Sequence, residues 1–225
     1  LNMEKILKRG GVELIAVVLG ITLSLWVDDK KELSVIEKNN IKTLKSIKNE
    51  VKMRINYIER KINQYKRDIE VGEYVIKNWN EINYDSISII TKNGRDIILT
   101  LKAYRAINLP VSIYNSLNSD GSIAKLDQDS IKIILNDLYE VIPAHIVDGV
   151  ENERVLYHSF NEFIIKNYSS IVNDAEGEKE YYAYNRFFND DVVLGYVLEK
   201  THIRKFILRL ITKYHSRLNE LEKMI

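Results

Sequence analysis

Residues 12–27, VELIAVVLGITLSLWV, contain one charged side chain, Glu13, and are bracketed by charge: Lys5, Lys8 and Arg9 before, Asp28-Asp29-Lys30-Lys31 after. As a helix this run is about 24 Å long, against a bilayer hydrocarbon core of about 30 Å. Ile6 and Leu7 extend the apolar length while Lys8 and Arg9 reach back to the headgroups. A helix on the outside of a soluble domain is apolar along one stripe only, and this one is apolar all round. The run predicts a single-pass transmembrane anchor over residues 1–29. A cleaved signal peptide needs small residues at −1 and −3, and the nearest pair, Thr22 and Ser24, would cut inside the apolar run. An interfacial helix needs a polar face, and residues 14–23 offer none.

Ala16, Gly20 and Ser24 recur every four residues, a small-residue stripe that lets helix backbones approach closely in lipid. Glu13 falls on the same face. An ionisable group at the membrane margin is costly unless hydrated, protonated or paired. Glu13 therefore has two roles open to it. One is a carboxylate at headgroup depth, bonded to Lys8 or Arg9 or favoured by the helix N-terminus; the other is a ring of carboxylates at an oligomer interface or pore mouth. Trp26 is an interfacial anchor at the other end.

Gly11-x-Glu13, Gly20, Ser24 and the polar Asp28-Asp29 that follows resemble the opening of a family of small bacterial single-pass membrane proteins with no known activity. Members carry a Gly-Glu-Ile-type start, an Ile-Gly-Ile centre and a small residue one turn later. Here Val12 separates Gly11 from Glu13 and the tryptophan lies inside the span. Tyr114-x-x-Leu117-x-x-x-Gly121, continuing through Leu126 to Leu135-x-x-Leu138-Tyr139, is similar to a second segment of the same proteins. The resemblance implies an inner-membrane anchor carrying a helical domain.

With 33 Lys+Arg against 32 Asp+Glu, no overall field draws the chain to nucleic acid or to an acidic substrate. Zero cysteines exclude disulfides, thiolate metal sites and a cysteine nucleophile. Two prolines and nine glycines leave few breaks, which points to long helices and an all-α fold. Lys5, Lys8 and Arg9 favour a cytoplasmic N-terminus; Lys30, Lys31, Lys38, Lys42 and Lys45 favour the reverse. With the family resemblance, the balance falls on the N-terminus inside.

Over residues 30–81 an apolar seam runs Leu44, Ile47, Val51, Ile55, Ile58, Ile62, Tyr65, Ile69, Gly72, Ile76, Trp79, with steps of three and four. That is a heptad pattern with one stutter, and it predicts a long amphipathic helix. Its partner is either its own domain or a second copy in a coiled coil. Residues 82–225 form the helical domain that packs on it. The period breaks at residues 80–94; a helix is expected over 95–107, with a restart at Asn108-Leu109-Pro110 and a turn at 118–121. A further helix runs from about 129 to 142, bends or breaks at Pro143 and resumes to about 168. The last, about 190–224, has a seam at Ile203, Ile207, Leu210, Tyr214, Arg217 and Leu221. Antiparallel pairing of the two seams gives a bundle, with Ile58, Ile62 and Ile69 against Ile207, Leu210 and Tyr214.

The search for chemistry is mostly negative. His145, His158, His202 and His215 lack metal-type spacing, and no nucleophile elbow, phosphate loop or dinucleotide fingerprint is present. Asp174, Glu176, Glu178 and Glu180 do not have the spacing of a calcium loop and read as a solvated acidic turn. Tyr181, Tyr182, Tyr184, Phe187 and Phe188 are the densest aromatic group. They either pack a helix start into the bundle or form a surface for a partner, ligand or bilayer. The function expected is a membrane-anchored, lipid-embedded homo-oligomer acting by assembly or binding, with no catalysis and no cofactor. The alternative is an oligomeric pore, a defence effector with Glu13 near its mouth.

Overall fold

The structure, a computed structural model, describes the backbone of residues 3–82, 97–172 and 180–225 and the side-chain surroundings of 17–82, 97–171 and 184–225. The described residues are helical, turn or irregular, with no strand among them, so the fold is all-α. Helix α1 (Met3–Lys77) is one unbroken element of 75 residues, about 110 Å long. A 3₁₀ turn at Trp79–Glu81 ends it. After α2 (Ile97–Lys102), an irregular strap at 103–111 leads to α3 (Ser112–Ser119). Next come α4 (Asp129–Asn136), a π-helical turn at Asp137–Val141, α5 (Ile142–Asn167), the short α6 (Ser169–Val172), α7 (Glu180–Phe187) and α8 (Asp191–Met224). The break expected at 80–94 falls largely outside the described residues, as does the acidic stretch 173–179.

Each start and stop has a local cause. Asp190 caps α8, its carboxylate accepting from the Val192 N–H at 2.8 Å. Gly121, at φ 75°, takes the left-handed turn position after α3. Pro143 lies in the first turn of α5, directly after the π turn, where one helix passes into the next without a gap. A π turn just before a proline gives the ring and the missing N–H room within a continuing helix.

The core is three long helices. Arg54 of α1 reaches Tyr214 of α8, Gly72 meets Thr201, and Glu73 pairs with Lys205 at 2.7 Å, so α1 and α8 are antiparallel. On α5, Gly149 abuts Ile207, Glu153 pairs with Arg204, and Phe160 stacks on Tyr196, so α5 is antiparallel to α8 as well. The two sequence seams meet as expected: Ile58, Ile207 and Tyr214 are buried in one apolar cluster, with Ile62 and Leu210 at its edge. Ile69 is buried but belongs to neither cluster.

The apolar core is in two parts. One joins α1 residues 47–65 to α3–α5 and residues 207–221 of α8. The other joins Val75 and Trp79 to α2, Phe160, Ile164, Phe187, Phe188 and Val193. Between them lies a layer of buried polar groups: Asp68, Glu153, Lys200, Thr201 and Arg204.

Beyond the core, α1 projects as a bare arm. Residues 17–39 are exposed without exception, and Thr43 is the first buried position. Among the described residues no helix is long and apolar enough to cross a membrane. The first five residues of the apolar run, including Glu13 and Ala16, have helical backbone, but their side chains lie outside the described part.

Candidate functional site

The polar layer is built around the strap. The period of Ile97, Leu101 and Tyr104 predicts helix to residue 107, yet α2 stops at Lys102. Leu109 precedes Pro110 and is steered away from helical geometry. An extended segment inside a helical bundle has no ladder partner, and its buried N–H and C=O groups must find side chains. They do, and so do the last carbonyls of α2. Lys200 Nζ donates to the carbonyl of Lys102, the end of α2, at 2.6 Å. Arg204 Nη2 donates to the carbonyls of Thr100 at 2.9 Å and Ala103 at 2.7 Å. Lys61 donates to the Ala106 carbonyl at 2.6 Å, Arg54 to that of Pro110, and the Asn108 N–H to the Tyr57 hydroxyl at 2.9 Å.

Glu153 is the hub. Its Oε1 accepts from Arg204 Nε at 2.7 Å, and its Oε2 accepts from the Arg105 N–H at 3.2 Å. The Tyr65 hydroxyl lies 3.1 Å from Glu153 Oε2 and 3.2 Å from the Arg105 carbonyl. Arg105 holds Asp68 bidentately, at 2.5 and 3.0 Å. Burial and the Glu153 carboxylate push the Tyr65 hydroxyl far above its usual titration range. Burial also pulls the Lys200 amine down to about 7, with Glu153 opposing and Arg204 and Arg105 assisting.

A second group lies one end nearer the arm. Glu50 pairs with Arg54 at 2.8 Å and accepts from the Tyr139 hydroxyl at 2.6 Å. Arg54 sits 4.1 Å over the Tyr139 ring, which stacks on Tyr114 with centroids 4.1 Å apart. Tyr114, Leu126, Leu135, Leu138 and Tyr139 of the resemblance segment are thus core, with the Tyr139 hydroxyl turned to buried charge.

No family model matches this chain, and neither a curated protein nor a solved structure does. Function has to be read from the groups themselves. Both layer carboxylates are occupied by guanidinium and N–H donors, so neither is free to act as a base. The adjacent surface cleft, about 330 Å³, is lined by Glu73, Ile76, Lys77, Leu198, Thr201, His202 and Lys205 and by none of the layer's ion-paired groups. Among the described residues no group of His, Cys, Asp and Glu could hold a metal. His145, His158 and His202 are exposed, and His215 lies 3.4 Å from Glu59 at the surface. The layer clamps the strap.

The residues expected at the membrane-helix interface are only partly in view. Gly20 and Ser24 are on the exposed arm, and a Cβ at Gly20 would meet nothing within 4 Å. Of the aromatic group, Tyr184, Phe187 and Phe188 offer no surface to a partner. Phe187 and Phe188 are fully buried, T-shaped to each other at 5.0 Å, with Phe188 against Trp79 at 5.8 Å. The amphipathic turn of α7 puts those rings under the bundle end; the side chains of Tyr181 and Tyr182 lie outside the described residues. Sequence reading missed the buried charges on α1. Glu50, Arg54 and Asp68 sit beside the seam at i±3 or i±4, where the apolar steps of three and four continue unbroken and give no sign of buried charge.

Proposed function

We propose that this chain is a membrane-anchored, self-associating helical protein that acts by assembly or binding and not by catalysis. The observation that carries this reading is the bare apolar end of α1. Val17, Val18, Leu19, Ile21, Leu23, Leu25 and Trp26 are each more than half exposed, on every side of the helix. A contiguous apolar surface of this kind needs lipid or another copy to cover it. The described part, residues 17–27, is about 16 Å long; the span also needs residues 12–16. Ala16, Gly20 and Ser24 supply the close-approach face for a second copy. The N-terminus inside, with the helical domain across the membrane, fits Lys5, Lys8 and Arg9.

The test is fractionation followed by native mass spectrometry of the full chain in detergent. The reading expects the protein in the alkaline-washed membrane pellet and as an oligomer that Gly20→Leu weakens. Recovery in the soluble fraction would overturn the anchor. Oligomers unchanged by Gly20→Leu would remove the helix stripe as the assembly face.

A further inference from the structure

We propose that residues 103–111 are a proton-released latch, lifted from the groove between α1, α5 and α8 when Lys200 takes up a proton. The charge count around the strap supports this directly. With the strap seated, the layer holds two carboxylates and two guanidiniums, paired one to one: Asp68 with Arg105 and Glu153 with Arg204. Lys200 is a fifth group, 2 % exposed, whose hydrogen bond goes to the Lys102 carbonyl; it has no ion pair with any described residue. As a neutral amine it is satisfied there. As an ammonium it is a buried cation without a counterion, which is costly.

The groups facing it come from every packed element. From α1 there is Asp68, and from α5 Glu153 and the Tyr157 ring, 5.9 Å from Nζ. From the strap side there are the Lys102 carbonyl and Arg105, and from its own helix Arg204. The Lys102 amine is engaged with Asn161 at 3.3 Å. Three of the four walls are long helices locked by the two apolar clusters. The strap is the wall that lifts: none of its residues is fully buried, and its apolar hold is limited to Ile107, Leu109 and Val111 at the edge of the first cluster. Lifting it carries Arg105 away from Asp68 and frees that carboxylate for Lys200. One cation replaces another, and the layer stays neutral.

The sign follows from linkage. Lys200 titrates near 7 with the strap seated and towards the ordinary lysine value of about 10.4 once hydrated. The lifted state therefore binds more protons between those values, and opening becomes less favourable as pH rises through that window, by about tenfold per unit. Below about 7 the dependence flattens.

Hydrogen exchange of the full chain in detergent, followed by mass spectrometry on peptides covering 103–111 and corrected for intrinsic rates, reads this out. From pH 7 to 8.5 the strap's opening constant is expected to fall about 15-fold, since Lys200 is already half-titrated at pH 7 with the strap seated. Peptides from residues 203–221 should keep their protection. Lys200→Met should abolish the slope, and Lys200→Arg should leave the strap open at both pH values. A strap equally protected at both pH values in the unmodified protein overturns the latch, even if neither variant folds. So does a slope that survives Lys200→Met, or one shared equally by residues 203–221.

Discussion

At Gly72 a single methyl group is enough to disturb the pairing of the two long helices. A Cβ built there collides with Thr201 Oγ1, and that hydroxyl is itself fixed by donating to the Val197 carbonyl at 2.8 Å. Thr201 cannot swing aside without losing its bond, so the helices must separate. Gly72→Ala is expected to cost about 1–3 kcal/mol, read as a lower denaturant midpoint at unchanged slope; an unchanged midpoint would mean the crossing is looser than described. Glu153 gives a second residue-scale test. Glu153→Leu leaves Arg204 buried and unpaired and should cost about 3–5 kcal/mol. Adding Arg204→Met should recover part of that loss, because the desolvated charge goes too. A double variant worse than the single would mean that Arg204 matters more through its bonds to the Thr100 and Ala103 carbonyls than through Glu153. These charged positions were not legible in the sequence. Glu50, Arg54 and Asp68 flank the seam of α1, and a side chain at a seam's flank reads the same whether it faces water or a buried strap.

At the scale of elements, α1 is two things under one hydrogen-bond ladder. From residue 43 its seam is core; from 17 to 39 no described residue buries it. Removing residues 1–39 should therefore leave the melting temperature of the rest of the chain unchanged, since a bare helix contributes no buried surface to the domain. A fall of several degrees would show that the arm packs back on the domain. The long helices were legible because their apolar steps of three and four persist for many turns. The strap was not. Its own residues, Tyr104 and Ile107 among them, suit a helix, and what holds it extended comes from side chains 37 to 101 positions away. Pro143 misled in the opposite direction: a proline announces a break, but a π turn before it kept the helix whole.

At the scale of the molecule, the described residues gather apolar side chains chiefly in the two clusters of the domain and at the uncovered end of α1. The clusters could be anticipated from the paired seams, but their separation could not, because it comes from a charged layer that exists only once the strap is seated. Ala16, Gly20 and Ser24 suggest a face by spacing alone; the aromatic group was open to packing or to a surface, and Tyr184, Phe187 and Phe188 of it are core. Density of rings measures how much must be buried; it does not say by what.

No proline interrupts Met3–Lys77, so nothing in α1 works as a universal joint. A twist applied at the apolar end arrives at residue 72 with the same sense. One residue inserted in the arm would turn that end by about 100° relative to the domain and lengthen the shaft by about 1.5 Å. Seven inserted residues would restore the heading to within about 20° while adding about 10 Å. The azimuth of the domain is geared to its far end by residue count, and its height above that end can be changed without changing the way it faces.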